Sequence, residues 1–367
     1  MAKYVYSSSP HIKSPATTRR IMIDVCIALL PACIAGCVLL GLANANSGWL
    51  SLMILAISCI SAVASEFVFL LCCKKSFKNI LHEFDFTSLV TGLLIGMNMY
   101  PTSKWYAAVL ANVFAVVVVK MLFGGTGKNI VNPAIAGRIF AYIAFGAVFG
   151  GVTMGFVGSD GAATSVPSLI SDGSVTAGAT PLQTLLSGGE STLTNLDLFL
   201  GTGVAGSIGE ICKLALILGG IYLVLRGVLN FRWPLVYIAS TGVVAVLINW
   251  FDSCKVDGQF VASMLGEQFV PALATFLPSI LSGGLTLGAI FMATDYVTTP
   301  NTKLGNYIYF VLLGVLTAVL RKATGAEVVS FAILLMNLLV PLMDRYIRRR
   351  PFGYVKPAKK SAEKEGK

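Results

Sequence analysis

The sequence predicts an all-α membrane protein that crosses the bilayer about ten times, and three observations lead to this prediction. Of the 367 residues, 56% are hydrophobic and only 12% are charged, whereas soluble domains carry about 25% charged residues. Apolar runs recur along the chain, and each is long enough to cross a hydrocarbon core of about 30 Å as a helix. Two similar segments, about half the chain apart, indicate an internal repeat.

The apolar runs define the predicted spans. They cover residues 21–42, 49–73, 84–100, 105–123, 136–157, 211–229, 234–251, 271–294, 306–320 and 326–343. Residues 196–210 are apolar and Gly-rich but ambiguous. We interpret them as a re-entrant approach to the sixth span, because an eleventh span there would reverse the orientation of everything that follows.

The Lys and Arg residues orient these spans. With the N-terminus in the cytoplasm, all but five of the 27 Lys and Arg residues face the cytoplasm, as the positive-inside rule requires. The exceptions are Lys104, Lys213, Lys255, Arg321 and Lys322. Both termini are therefore predicted to be cytoplasmic, and the hydrophilic interval 159–197 is predicted to face outward.

The repeat divides the chain into two halves of five spans. The copies begin at Tyr100 and Thr299, and each contains a Pro turn, an apolar span, a basic residue and a Thr-Gly pair in the same order. Because an odd number of spans separates the copies, their orientations must be opposite, as in inverted-repeat transporters; the alternative is chance similarity of two apolar segments. The predicted organisation is a cytoplasmic tail (1–20), a first five-helix unit (21–158), an outer loop (159–197), a second unit (198–343) and a basic cytoplasmic tail (344–367).

Composition argues against several classes of function. The net charge of +10 does not indicate nucleic-acid binding, because the basic residues cluster at the ends and in short loops. The eight Cys residues form no C-x-x-C pair and nearly all lie in apolar runs, so no metal or iron–sulfur site is predicted. The two His residues, His11 and His82, are both predicted to be cytoplasmic, which argues against a catalytic triad.

One candidate site is the stretch FGGTGKNIVNPAIAGR, residues 123–138, at the end of the fourth predicted span. It lacks the spacing and the terminal hydroxyl of a phosphate-binding loop. A broken helix whose freed backbone groups line a cavity fits its Gly, Asn and Pro content, with Lys128, Asn129, Asn132 and Arg138 as candidate polar residues. The alternative is a capped helix–loop–helix turn.

Acidic residues in or near spans form a second group of candidates, since ionisable groups are costly in a membrane. Asp295 ends the eighth predicted span and is expected to line an ion path or a cofactor pocket, or else to cap its loop. Glu66 is the deepest in a span and is a candidate for the ion path or for a structural ion pair. Asp24 and Asp85 lie near helix ends.

A third candidate lies in the outer loop, in TAGATPLQ, residues 176–183. Small residues before Thr180 leave its hydroxyl unshielded, and Pro181 stiffens the chain after it. Such an accessible hydroxyl suits covalent modification. A plain flexible loop is the alternative.

Several of these motifs together resemble a known family. GATPL in an outer loop, GGTGKNIVNPAIAGR, ATDYVTTPNTKLG and the N-terminal SSSPHIKSPATTRRIMIDVCIALLP look like the D subunits of Rnf complexes, the ion-translocating ferredoxin:NAD oxidoreductases. The B subunits of sodium-pumping NADH:quinone oxidoreductases share the first three motifs. The short N-terminal tail and SPHIKS favour the Rnf side, and the B subunit remains the alternative.

The resemblance implies a flavoprotein. In this family the Thr that ends such a motif carries FMN as a phosphoester, attached by a flavin transferase on the outer side, and that residue corresponds to Thr180, preceded by Gly178 and Ala179. A second, non-covalent flavin, riboflavin, is implied, and we place it near Asn132, Pro133 or Asp295.

The resemblance also implies the setting of the chain. It predicts a urea-transporter-like fold of two inverted five-helix units in the cytoplasmic membrane of a prokaryote. The implied partners are soluble iron–sulfur subunits, an outer subunit with its own FMN and two small membrane subunits. Electron flow would be coupled to Na⁺ or H⁺ movement, and the chain would not be catalytic alone. A flavin-free channel or transporter of the same fold is the alternative from another class.

Overall fold

The computed structural model describes the chain from residue 17 to residue 347, with gaps. The gaps are residues 44, 102, 146–166, 172–173, 178–181, 183–184, 186–193, 205, 257–258, 261–265 and 326. Thr180, Gly178 and Ala179 therefore lie outside the described residues, as does His11.

The first half of the described chain is built from six helices. They are α1 (Thr18–Ala43), α2 (Ala45–Cys72), α3 (Phe77–Glu83), α4 (Thr87–Met97), α5 (Trp105–Val113) and α6 (Pro133–Ala144). A π-helical segment, Phe114–Met121, continues α5 without a break. Such segments are rare and are often found at functional sites.

In the second half, eight helices have bounds within the described residues. They are α7 (Asn195–Leu200), α8 (Lys213–Leu225), α9 (Arg232–Ser253), α10 (Phe269–Ala274), α11 (Phe276–Leu281), α12 (Leu285–Leu287), α13 (Lys303–Thr324) and α14 (Val329–Tyr346). A second π-helical segment, Gly288–Met292, continues α12.

Strands in the described residues are limited to two short antiparallel hairpins in segments between helices. They pair β1 (Pro167–Ser171) with β2 (Ser174–Ala177), and β3 (Lys255–Val256) with β4 (Gln259–Phe260). The bulk of the described chain is thus helical, as predicted.

The helices confirm the prediction of a multi-pass membrane protein. Five of the described helices are long and apolar enough to cross a bilayer: α1, α2, α9, α13 and α14. The bent pair Phe269–Leu281 and Leu285–Met292 adds a sixth if it is one span, with a bend of 63° at its break. Four shorter apolar helices remain, namely Thr87–Met97, Trp105–Met121, Pro133–Ala144 and Lys213–Leu225. At 1.5 Å per residue, the three of these that have 11 to 13 residues are too short for a straight crossing.

The described helices pack in two groups. α1 packs against α2 and α8, α2 packs against α4 and α5, and α9 packs along α13. Close approach of α1 and α8 depends on Gly219, where an added Cβ would overlap the backbone carbonyl of Ala28. Small residues allow this contact in membrane bundles. We call the end of the bundle at which α1 begins and α2 ends the proximal end.

The ambiguous segment 196–210 does not form a span-length helix. Its first part is the short helix α7, capped by Thr194 and ended by Gly201 in a left-handed conformation. The chain then returns into the core, where the amides of Ile208 and Gly209 donate to the carbonyls of Met99 and Met97 at 3.0 and 2.7 Å. These bonds satisfy carbonyls at the C-terminal end of α4, which otherwise lack helical partners.

Candidate functional site

One candidate site is a cavity of about 130 Å³ at the proximal end of the bundle. We call it the proximal cavity. Both halves of the chain contribute to its wall. The polar lining residues are Thr87, Thr91, Lys120, Thr126, Asn129, Asn132, Thr294, Asp295 and Tyr296, and the apolar ones include Ile21, Met22, Val25, Leu94, Leu223, Ile290 and Phe291.

Glycines shape the loop that precedes α6. Gly124, Gly125 and Gly127 have φ values of +107°, +91° and +87°, a region that side chains with a Cβ rarely adopt. The loop can therefore turn back sharply after the π-helical segment and reach the cavity with Thr126, Gly127 and Asn129.

Asn132 connects this loop to the second half of the chain. Its Oδ1 accepts from the Ala134 amide at 3.0 Å and so caps α6, with Pro133 at the first helical position, a combination that favours helix initiation. Its Nδ2 donates to the carbonyl of Met292 at 3.1 Å. Asn132 therefore caps a helix and also lines the cavity, so the two interpretations of this motif both apply.

The four polar candidates of this motif have separate locations. Asn129 and Asn132 line the cavity, whereas the exposed Lys128 lies over Gly124. Arg138 points elsewhere and donates to Ser330 Oγ at 2.9 Å and to Glu210 Oε1 at 3.4 Å.

Lys120 is buried beside the cavity and is fully hydrogen-bonded. Its ammonium donates to Glu66 Oε1 at 2.8 Å, to Ser88 Oγ at 3.0 Å and to Thr87 Oγ1. An ammonium has three protons, so each of them has an acceptor. Glu66 thus forms a buried ion pair rather than facing the cavity, and among the described residues its Oε2 has no partner.

Asp85 organises the rim of the cavity between α3 and α4. Its carboxylate accepts from the hydroxyls of Thr87 at 2.6 Å and Thr126 at 2.7 Å. Burial alone would raise the pKa of Asp85, but the hydrogen bonds from Thr87, the charge of Lys120 and the bond from Thr126 together outweigh it and lower the pKa. Asp85 is therefore held as a carboxylate.

Asp295 lies on the opposite wall, just after the second π-helical segment. Its carboxyl oxygens accept only long hydrogen bonds in the described chain, from the Val297 amide at 3.5 Å and from Thr298 Oγ1 at 3.4 Å. Burial raises the pKa of Asp295, and these two bonds offset the increase only in part. The structure thus brings Asn132, Pro133 and Asp295 to one cavity, and the expectation from the resemblance that a flavin binds near one of them stays a prediction.

Asp24 is at the proximal end but has a structural contact. It accepts from Tyr222 at 3.1 Å and from Arg226 Nε at 3.2 Å, which links α1 to α8. It does not line the cavity.

A second group of buried charges contains two acidic residues, Glu210 and Glu327, to which the sequence analysis assigned no role. Glu210 accepts from Arg138, and its backbone carbonyl accepts from Lys213. Glu327 accepts from Arg321 at 3.0 Å and from the Gly284 amide at 3.1 Å. The sequence does contain a signal for these two residues, because Glu210 follows the Gly-containing stretch GVAGSIG and Glu327 follows TGA. Among the described residues, no group of three or more His, Cys, Asp or Glu is arranged to hold a metal ion.

Comparison with known proteins gives a consistent family. The model of the NQR2, RnfD, RnfE family matches residues 5–353. The D subunit of a Na⁺-translocating ferredoxin:NAD⁺ oxidoreductase complex of Acetobacterium woodii is 36% identical over 97% of both chains. The D subunit of an ion-translocating oxidoreductase complex of Stutzerimonas stutzeri is 34% identical, over 91% of this chain and 92% of the relative. The D subunit of a proton-translocating ferredoxin:NAD⁺ oxidoreductase complex of Clostridium ljungdahlii is 31% identical, over 95% and 96%.

Proposed function

The chain belongs to the NQR2, RnfD, RnfE family, and we propose that it is the D-type membrane subunit of an ion-translocating ferredoxin:NAD⁺ oxidoreductase complex. The observation that carries this proposal is the similarity to D subunits over nearly the whole of both chains. On this proposal the chain takes part in electron transfer as one subunit of an oxidoreductase and does not catalyse the reaction alone.

We further propose that the proximal cavity binds riboflavin. A flavin ring is flat, with one polar edge and one apolar edge. The lining supports this proposal because it contains both kinds of group, namely the polar side chains of Asn129, Asn132 and Thr91 and apolar side chains that include Phe291. A flavin bound there would supply one- and two-electron redox chemistry, while the protein supplies binding, orientation and electrostatics. Asn132 and Pro133 would hold the ring between the two halves of the chain.

The covalent flavin is a separate proposal. It places FMN on Thr180 as a phosphoester, in the GAT segment with Gly178 and Ala179, attached by a flavin transferase on the outer side of the membrane. Its support is the sequence motif and the long interval without Lys or Arg around it.

The topology proposed for this protein is ten spans in two inverted units with both termini in the cytoplasm, so that the proximal end is cytoplasmic. Matching features of the two halves support it. Each half has a π-helical segment, and the matched basic residues Lys120 and Arg321 are each buried and paired with a glutamate.

Two acidic residues are proposed for the path of the coupling ion, Na⁺ or H⁺. Asp295 faces the proximal cavity, whereas Glu66 is neutralised by Lys120 at 2.8 Å, which makes Asp295 the stronger candidate. The proposed partners are soluble iron–sulfur subunits, an outer FMN subunit and two small membrane subunits. Transport by the whole complex in vesicles, with and without Na⁺, would identify the ion.

The flavin proposals are tested on the purified complex, co-expressed with its flavin transferase. After denaturing electrophoresis, the band of this chain should fluoresce under ultraviolet light, and Thr180→Ala should abolish the fluorescence while Thr176→Ala retains it. Flavin-free protein, with neither a fluorescent band nor released riboflavin, would support the channel or transporter alternative instead.

A further inference from the structure

The proximal cavity raises the question of what compensates charge when a redox group inside it is reduced. An electron added in a poorly solvated site creates negative charge that water cannot screen. A nearby acid that gives up a proton to the group, and then regains one from water, removes this charge. The groups of the cavity wall that carry exchangeable protons are therefore the candidates.

Lys120 is not available as a donor without breaking existing bonds. Its three protons are already given to Glu66, Thr87 and Ser88, and the glutamate balances its charge. Lys120 therefore contributes a neutral ion pair with Glu66 beside the cavity and no spare proton.

The two nearby tyrosines are likewise engaged. The Tyr296 hydroxyl, on the wall, donates to the carbonyl of Val228. The Tyr309 hydroxyl is hydrogen-bonded to the side-chain amide of Asn337 at 2.8 Å. Burial also raises the pKa of the Tyr296 phenol. Neither phenol is suited to give up a proton at neutral pH.

Asp295 differs from all of these. It lies on the cavity wall, its carboxyl oxygens have only the two long hydrogen bonds in the described chain, and no salt bridge to it exists among the described residues. It also lies shortly after the second π-helical segment, before α13, and is partly exposed.

From this geometry we infer that Asp295 is the proton donor to the redox group bound in the proximal cavity. The inference rests on the proposed flavin site. On reduction the O–H bond of the Asp295 carboxyl breaks and an N–H bond forms on the bound ring. The electron comes from the redox partners of the complex, and the remaining carboxylate regains a proton from water at the proximal end.

The protonation state of Asp295 fits this role. Burial raises its pKa above the usual value for Asp, so the neutral, proton-carrying form persists to higher pH than in a free carboxyl group. Asp85, on the rim, has the opposite shift and stays charged. The two carboxyl groups of the cavity region are thereby separated into a proton carrier and a fixed anion, as expected where environments push pKa values apart.

The test uses the purified whole complex and measures riboflavin directly. Non-covalent flavin is first released by acid precipitation and counted in wild type, Asp295→Asn and Asp295→Glu. Loss of flavin absorbance is then followed in single turnovers after mixing with a low-potential chemical reductant, over a range of pH and in heavy water. Asp344→Asn is the matched control, because Asp344 binds Asn301 in the same loop at 3.0 and 2.8 Å and does not line the cavity.

We expect Asp295→Asn to slow flavin reduction about 100-fold, within the usual range for loss of a general acid, and to abolish the fall in rate at high pH. Asp295→Glu and Asp344→Asn should stay within a few-fold of wild type. In Asp295→Ala, formic acid should restore much of the rate, which a purely structural role would not allow.

The outcomes separate the two claims. A wild-type complex without non-covalent flavin overturns the proposed pocket and this inference with it. Full flavin content with wild-type rate and pH profile in Asp295→Asn overturns the inference alone. If Asp295→Asn loses its flavin, the Asp295→Glu variant is used instead. Slow flavin reduction in Asp295→Glu, without a fall in rate at high pH, would contradict proton donation.

Discussion

Asn132 and Met292 join the two halves of the chain at the proximal cavity, where Asn132 Nδ2 donates to the Met292 carbonyl at 3.1 Å. They are far apart in sequence, yet each marks a helix end: Asn132 caps α6 and Met292 ends the second π-helical segment. This contact positions Pro133 and Asp295 on one cavity.

Asn132→Ala should therefore destabilise the protein and weaken flavin retention. Loss of the cap and of the bond to Met292 each costs about 1 kcal/mol. Thermal unfolding in detergent and the amount of released riboflavin are the measurements. Thr194→Ala, which removes the cap of α7 away from the cavity, should lose stability but keep its flavin; equal flavin loss in both variants would refute a binding role for Asn132.

Lys120→Met should be more harmful than the double variant Lys120→Met, Glu66→Gln. Removing one member of a buried ion pair leaves a charge without compensation and costs about 3–5 kcal/mol, whereas removing both charges avoids this cost. Unfolding of the two single variants and the double variant forms a double-mutant cycle. Additive losses would mean that the 2.8 Å pair contributes no coupling.

Asp85→Asn should weaken the dependence of the free energy of unfolding on pH under acidic conditions. The folded-state pKa of Asp85 is lowered, so its contribution to stability is complete above the unfolded value of about 3.9 and disappears as pH falls through the folded value. Asp85→Asn should be less stable than wild type at neutral pH and lose less on acidification. The exposed Glu267 provides the control, since Glu267→Gln should leave the profile unchanged.

Gly219→Ala should separate α1 from α8. The added methyl would overlap the Ala28 carbonyl, and overpacking of this kind costs about 1–3 kcal/mol. Gly266→Ala is the control, because a Cβ there meets nothing within 4 Å. Expression level and thermal unfolding should fall for the first variant only; tolerance of Gly219→Ala would show that the helices can move apart without cost.

The sequence was most informative where local chemistry decides structure. Hydropathy predicted the helical membrane fold, and the Gly, Asn and Pro residues of 123–138 predicted a break beside a cavity. Asn132 and Asp295 were candidates on separate segments, and only the folded chain shows that both line one cavity. Their role in binding a flavin stays a prediction.

Other features depended on tertiary pairing that no local pattern specifies. The partner of Glu66 is Lys120, and that of Arg138 is Glu210; each pair joins residues on different segments. Local hydropathy also could not show that the predicted span 84–100 would contain a helix ending at Met97, since Asn98 and the loop 206–211 complete its end only in the folded bundle.

The most direct test of the central claim is to measure the non-covalent riboflavin in the purified complex, with the cavity unchanged or filled by a larger side chain. Val25 lines the cavity, while Leu30 on the same helix is exposed at 49%. Acid extraction should release riboflavin from wild type and from Leu30→Trp, and little from Val25→Trp. Release of none from wild type, or of the full amount from a folded Val25→Trp complex, would contradict the assignment of this cavity as a flavin site.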